Sequence, residues 1–455
     1  MSQSFNKALF LSAALLPAIA GATNGYFMGG TGTKNQGMAG AGSADPEEAM
    51  IMATDPAGLA FISPRIELGI GLFSPDRSYS SSSSLAKGQG GAFTIGPNDI
   101  TSDNKLFPMP SVGAVWAMAD DSRVGVAFYG RGGMNTEWAG GTATFDPDGP
   151  GPAPVMSLPG TYGGGTAGVD LMQAFLNVTW AKTFADGRAA FGASLIGAAQ
   201  RFEAIGVGTF AGYTKSFAAS GGTAMPKNLS NNDHDMSVGV GGALGLHWSM
   251  TDNFAVAASY SSKVSMGRFD KYADLFAEGG KFDIPSSITV GFSLKASDNV
   301  VLNADVQRIN YTDVASVSNP ISNLFGCPTA GAGGKDLESC LGGSRGAGFG
   351  WDDMDVYKFG IRWNVNSDLT LRAGFSHGKQ PIAATQVTFN ILAPGVTEDH
   401  IAAGFTRRSG NGEWSGSLTY APSQTVKGSN TFDPTQQISL SMDQWMLQFS
   451  YSWLR

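Results

Sequence analysis

Charge is scarce in this sequence. Asp, Glu, Lys and Arg make up 15% of the 455 residues, against roughly 25% in an ordinary soluble domain. The charges sum to −8, which argues against nucleic acid as a partner, because phosphate binding needs a basic face. Histidine is rarer still. His234, His247, His377 and His400 are scattered without ligand or triad spacing, so no metal, no cofactor and no catalytic residue is expected. Gly342-Gly343-Ser344-Arg345-Gly346 and Gly163-Gly164-Gly165-Thr166-Ala167-Gly168 fit nucleophile-elbow and dinucleotide patterns, but neither has the strand-turn-helix context that gives those motifs meaning. The chain does not read as an enzyme.

Long hydrophobic runs are missing as well. The first twenty-two residues read as a signal peptide: Lys7 supplies the positive end, 8–20 is apolar, and Ala20-Gly21-Ala22 or Ala18-Ile19-Ala20 offers the cleavage site. Beyond it no run reaches the ~18 apolar residues that a spanning helix requires. Cysteine occurs twice, Cys327 and Cys340, inside a Gly-rich segment. In an exported chain that spacing suggests a disulfide; a metal pair is the alternative and lacks the further ligands zinc takes.

Glycine (63 residues) and aromatics (11%) are plentiful. The aromatics alternate with polar residues. Trp445, Leu447, Phe449, Tyr451 and Trp453 share one face of an extended strand, with Gln444, Gln448, Ser450 and Ser452 on the other. Tyr357, Phe359, Ile361 and Trp363 likewise oppose Lys358 and Arg362, and similar rows recur around residues 254–261, 369–376 and 414–420. Repeated ~10-residue alternating segments are the signature of strands crossing a bilayer, lipid on one face and lumen on the other. Very short turns such as Ala185-Asp186-Gly187 and Asn366-Ser367-Asp368 alternate with long Gly/Ser/Pro-rich connections near 76–110, 132–168, 203–235 and 313–353. That is the outer-membrane pattern, with short turns at the periplasm. Residues 65–455 therefore predict an all-β, transmembrane antiparallel barrel of about fourteen strands.

Residues 23–64 do not alternate. Asp45-Pro46-Glu47-Glu48 reads as a helix start, with Asp45 as N-cap, Pro46 at the first position and Glu48 closing a capping box. Asp55-Pro56 begins a second short turn. A fourteen-stranded lumen is wide enough to leak, so this compact, partly helical stretch is expected to plug it as a hatch.

The chain also resembles the long-chain fatty acid transporters of the outer membrane, including their aromatic-hydrocarbon-uptake branch. The matching pieces are Asn24-Gly25-Tyr26-Phe27, Lys34 with Gly37-Met38-Ala39-Gly40-Ala41-Gly42, Pro56-Ala57-Gly58-Leu59, Arg131-Gly132-Gly133-Met134-Asn135-Thr136, and Phe389-Asn390-Ile391-Leu392-Ala393-Pro394-Gly395. The resemblance implies a monomeric barrel closed by the hatch. It implies capture of a hydrophobic ligand on extracellular loops, passage to a pocket above the hatch, and sideways release beside a kinked third strand. Outer-membrane lipid, lipopolysaccharide and the barrel-assembly machinery would be its partners. Where the family pattern has Asn-Pro-Ala at the hatch turn, this chain has Asp55-Pro56-Ala57. Asp still caps a turn, but a carboxylate near the pocket would repel a fatty acid head group unless Lys34 or an Arg neutralised it.

On this reading Phe27, Met28, Lys34, Met38, Met50, Met52, Phe61, Phe389, Ile391 and Leu392 are the expected pocket lining, where flexible Met suits varied ligands. Phe202, Phe210, Phe217, Phe269, Tyr272 and Phe276, with Tyr213 and Leu275 beside them, are the expected capture groove. Arg131, Gly132, Gly133 and Met134 form the expected lateral gate, since paired glycines permit a bulge as well as an ordinary strand end. Packing alone would also account for most single members of these sets. A rim-sited lipid hydrolase and a polar diffusion porin are the rival readings; the first needs an essential Ser or His, the second steady ion conductance.

Overall fold

The computed structural model describes residues 23–146 and 154–455; the expected signal peptide, 1–22, lies outside the described residues. Fourteen antiparallel strands run in chain order: β1 (Arg65–Ser81), β2 (Phe107–Ala117), β3 (Ser122–Trp138), β4 (Ala167–Phe184), β5 (Ala189–Ile205), β6 (Asp235–Ser249), β7 (Phe254–Ser261), β8 (Ser287–Lys295), β9 (Val300–Ile309), β10 (Met354–Asn364), β11 (Leu369–Gly378), β12 (Asp399–Ser409), β13 (Gly412–Asn430) and β14 (Asp433–Leu454). Each pairs with its chain neighbours. β14 returns to β1, from Ile438 opposite Ser81 to Leu454 opposite Arg65, and closes the barrel.

The alternation becomes two surfaces. On β14, Trp445, Leu447, Phe449 and Trp453 point outward and exposed, while Gln444, Gln448 and Ser452 are buried. On β10, Tyr357, Phe359, Ile361 and Trp363 are exposed and Lys358 is buried. An apolar exterior around a polar interior inverts the soluble arrangement and suits a lipid surround. No helix among the described residues is long and apolar enough to cross a membrane. The connections at one end are short (118–121, 185–188, 250–253, 296–299, 365–368, 410–411), and most of those at the other are long.

Residues 23–64 contribute no barrel strand and pack against lumen-facing side chains. A hairpin joins Thr23–Asn24 to Phe27–Met28 through Gly25 at φ +67°. A helical turn over Thr33–Gln36 and 3-10 turns over Ala49–Ala53 and Pro56–Phe61 follow. The helix expected from Asp45 begins instead at Ala49, and Glu48 makes no capping bond there. Tertiary partners have taken those side chains: Arg362 and Asn303 bind Asp45, while Glu48 accepts the Lys34 and Asn35 backbone N–H groups. At the second turn the expectation holds, since Asp55 accepts from the Ala57 N–H at 3.0 Å.

Glycines on the inner wall admit this segment. A Cβ on Gly245 of β6 would collide with the Asp55 carboxylate, and one on Gly374 of β11 with the Met38 backbone. These strand positions carry no side chain because another backbone occupies that space.

Candidate functional site

The segment inside the barrel is held by buried charge on one side. Arg372 of β11 binds Glu47 (Nη2–Oε1 2.7 Å, Nε–Oε2 2.9 Å), and Arg362 of β10 binds Asp45 in the same two-point manner (2.8 and 2.9 Å). Glu413 of β13 gathers Lys34 (2.7 Å), Arg408 (2.6 Å) and Arg65 (3.6 Å). Burial would by itself raise the Glu47 carboxyl, but the charges of Arg372, Arg362 and Lys34 outweigh it and hold the group at about 2. Asp55 has no such partner. Burial pushes it up to about 8, offset only partly by the backbone N–H groups of Ala57 and Gly58. Near neutral pH it is therefore chiefly an uncharged acid and serves the turn as Asn would. Burial, and not Lys34, which is bound to Glu413, is what weakens the charge of Asp55.

On the opposite wall β3 is irregular. Gln173 of β4 faces Gly132 and Ala174 faces Gly130, so Arg131 is an extra residue, a bulge. β2 pairs with β3 only between Ser111–Ala117 and Arg123–Tyr129; from Gly130 onward β3 has no β2 partner. Pro108 and Pro110 of β2 keep register with β1. Having no N–H, they leave no donor facing that gap. The N-terminal hairpin lies against it: Phe27 pairs with Gly132, the Gly133 N–H donates to the Tyr26 carbonyl at 3.4 Å, and the Arg131 guanidinium stands 5.0 Å from the Phe27 ring centre. Met134, just beyond, is buried.

Toward the long loops lies a narrow apolar cavity of about 40 Å³, lined by Val169, Phe202, Val207, Phe210, Leu275, Phe276, Leu341, Phe349, Phe389 and Leu392. No charged side chain lines it. The rings interlock, Phe210 with Phe389 at 5.1 Å and Phe202 with Phe276 at 4.6 Å. Phe432, at the tip of the β13–β14 hairpin, touches Phe93, Phe210, Tyr213, Phe325 and Phe389. The short-turn end instead opens into a polar vestibule of about 620 Å³, with Arg188, His247, Asp252, Lys295 and Arg362 among its walls.

Part of the expected pocket lining and part of the expected capture groove meet at one cavity, and the rest lie elsewhere. The structure brings Phe202, Phe210, Phe276, Phe389 and Leu392 together there; Phe269 and Tyr272 stand behind Phe202, at 5.5 and 4.9 Å. Ile391 is buried and its carbonyl accepts from the Trp138 indole at 2.9 Å. Phe217 is half-buried outside this group. Met50 and Met52 fit against Gly113 and Gly125 of the wall, and Met38 against Gly360. Lys34 is committed to Glu413, Phe61 packs at a tilt against His247 in the vestibule at 4.6 Å, and Phe27 with the buried Met28 belongs to the hairpin at β3. Sequence reasoning missed Val169, Val207, Phe349 and the Phe432 hub. An aromatic at a tight hairpin tip, where turn-forming residues are expected, is the signal that could have found the last.

Cys327 and Cys340 form a disulfide in the 310–353 connection. Beside it, Leu341 exchanges backbone bonds with Tyr213 and Lys215 (2.9 and 2.8 Å), tying this loop to the cavity wall.

Residues 159–408, more than half of the chain, match the family described as outer membrane protein transport protein (OMPP1/FadL/TodX). The chain belongs to this family. It is an outer-membrane transport protein and not an enzyme. Among solved structures it is similar to the Pseudomonas putida toluene transporter TodX (17% identity, 94% of this chain and 99% of that one, TM-score 0.62). It is also similar to the Ralstonia pickettii toluene transporter TbuX (16%, 94% and 98%, 0.60) and to a Pseudomonas aeruginosa FadL homologue (15%, 94% and 99%, 0.62). At these identities the likeness speaks for the fold. No curated protein sequence matches this one.

Proposed function

We propose that the chain takes up neutral or weakly polar hydrophobic molecules, whether long-chain fatty acids in protonated form or aromatic hydrocarbons. The observation that carries the reading is the uncharged aromatic cavity, set between the long loops and the bulge in β3. Of the basic candidates Lys34, Arg65, Arg131 and Arg201, three are engaged by carboxylates, and only Arg131, against the Phe27 ring at the β3 bulge, is left to meet an anionic head group. Ligand enters among the loop aromatics, settles against Phe210 and Phe389, and leaves sideways where β2 and β3 are unpaired. Residues 23–64 act as the hatch, and the Tyr26–Phe27 hairpin is the part that must yield at the gate. An apolar solute on this route avoids the polar vestibule below. Two of the similar transporters carry toluene in their names, which keeps small apolar molecules within the range. Outer-membrane phospholipid and lipopolysaccharide would cover the aromatic exterior, and the barrel-assembly machinery would insert it.

Deleting Arg131, the extra residue, would restore a regular β3–β4 ladder. Intact cells carrying the deletion should lose uptake of labelled toluene and oleate, while heat-shifted electrophoresis still reports a folded barrel. Undiminished uptake in a folded variant would overturn the lateral route.

A further inference from the structure

Below the cavity, the lumen-facing row of β4 runs Val169, Leu171, Gln173, Phe175, and that of β5 runs Phe202, Gln200, Ala198. Gln173 and Gln200 are direct cross-strand partners. Both are fully buried, and neither the oxygen nor the nitrogen of either amide has a hydrogen-bond partner among the described residues. Tyr26 is buried beside Gln173, and its hydroxyl completes no hydrogen bond among the described residues. Its ring leads back to the cavity through Phe282, 6.2 Å away and itself 4.9 Å from the lining residue Phe276. Gln173 also reaches the bulge, for a Cβ on Gly132 would stand 2.5 Å from its Oε1 and 3.0 Å from the Tyr26 carbonyl.

Five polar atoms are thus withdrawn from water between cavity and gate, with the Arg131 guanidinium close by at the Phe27 ring. Leaving a buried donor or acceptor unsatisfied is costly, whereas an apolar replacement of similar shape is not. Leucine would fill either Gln position, so the amides need a partner that is not part of the wall. We propose that Gln173, Gln200 and Tyr26 form a polar station that recognises the head of a neutral amphiphile, an alcohol or a protonated carboxylic acid, as it moves from the cavity to the gap beside β3. The chemistry favours a group that donates and accepts at once. Each amide presents an N–H and a C=O, and the phenol does both. At the amides an ionised carboxylate would satisfy the N–H donors but face two amide oxygens; its charge would be met by Arg131 at the bulge instead. The tail of the ligand would stay against Phe202 and Phe276. The station sets specificity: an amphiphile is favoured over a hydrocarbon of equal size.

This inference rests on the transport reading, and one experiment separates the two. Equilibrium binding of tritiated 1-dodecanol and n-tridecane, equal in heavy atoms, is measured on the purified full-length chain in detergent. The wild type should bind the alcohol about tenfold more tightly, and the double variant Q173L/Q200L should lose that preference while keeping its affinity for the alkane. Removing unsatisfied amides should also raise the variant's thermal midpoint, whereas a structural role for the amides would lower it. Y26F, which deletes one hydroxyl only, supplies the same comparison if the double variant does not assemble. Equal wild-type affinity for the two ligands overturns the polar station and leaves transport standing; binding of neither overturns the transport reading itself.

Discussion

Arg372 and Glu47 meet inside the barrel through two parallel contacts, 2.7 and 2.9 Å long, between β11 and a segment 325 residues earlier in the chain. The pair is a fastening rather than a source of much net stability, since two buried charges give back most of what their desolvation costs. Removing one partner is different, because the other is left buried and alone. R372M should loosen residues 45–53 and convert a quiet barrel into a leaking one. Planar-bilayer recording should show a conductance rise over wild type, and R372M/E47Q should reverse part of it. A silent R372M channel would mean that the other ion pairs suffice.

The opposite side of the same segment is held by shape. Because a Cβ at Gly245 would enter the space of the Asp55 carboxylate, G245V should push the Pro56–Phe61 turn off the wall. Overpacking of this kind typically costs about 1–3 kcal/mol. Limited proteolysis of the folded barrel should cut near residues 54–62 in the variant and not in wild type; equal protection would show that the turn has room to shift.

Asp55 makes that turn sensitive to pH. Its folded value, about 8, lies above the ordinary 3.8, so the native state holds the proton more tightly than the unfolded chain does. The stability it contributes is complete below 3.8, declines as pH rises toward 8, and is gone above that. D55N keeps the acceptor for the Ala57 N–H and cannot ionise. The thermal midpoints of D55N and wild type should lie close at pH 5 and separate at pH 9.5, with D55N the more stable. A gap that stays constant across this range would show that Asp55 does not titrate there.

Cys327 and Cys340 close a loop whose other contacts shape the cavity. In the chain-entropy account, a bridge over this span is worth roughly 3 kcal/mol. C327S/C340S should loosen this loop and release Leu341, weakening alkane binding by about tenfold. Unaltered affinity would separate the loop from the ligand.

The barrel wall was legible because its cause is local. Period-two alternation at 445–453 or 357–363 needs only a strand with lipid on one side, and the structure returns those residues on the predicted faces. The bulge was half legible: Gly132-Gly133 marked the place, but the extra residue is Arg131, which register alone decides. The capping box at Asp45–Glu48 failed because local capping lost to Arg362, on a strand more than three hundred residues away. Lys34 looked available to a ligand for the same reason, Glu413 being 379 residues distant. Gln173 and Gln200 could have been noticed as amides interrupting apolar rows, though their lack of partners is a property of the packed wall alone.

The β1–β14 seam has a consequence for biogenesis. It joins nearly the two ends of the described chain, and contacts between residues so far apart are the slowest to form. Residues 23–64 precede β1, lie against the lumen-facing side chains, and are gripped by β10, β11 and β13. Sealing the seam first would leave them to thread a finished cylinder against buried ion pairs. The order that follows is that this inner segment nucleates the barrel, with the wall wrapping it before the last two strands zip. Pulse-labelled assembly intermediates with an open seam should already protect residues 49–61 from protease; protection that appears only after closure would reverse the sequence.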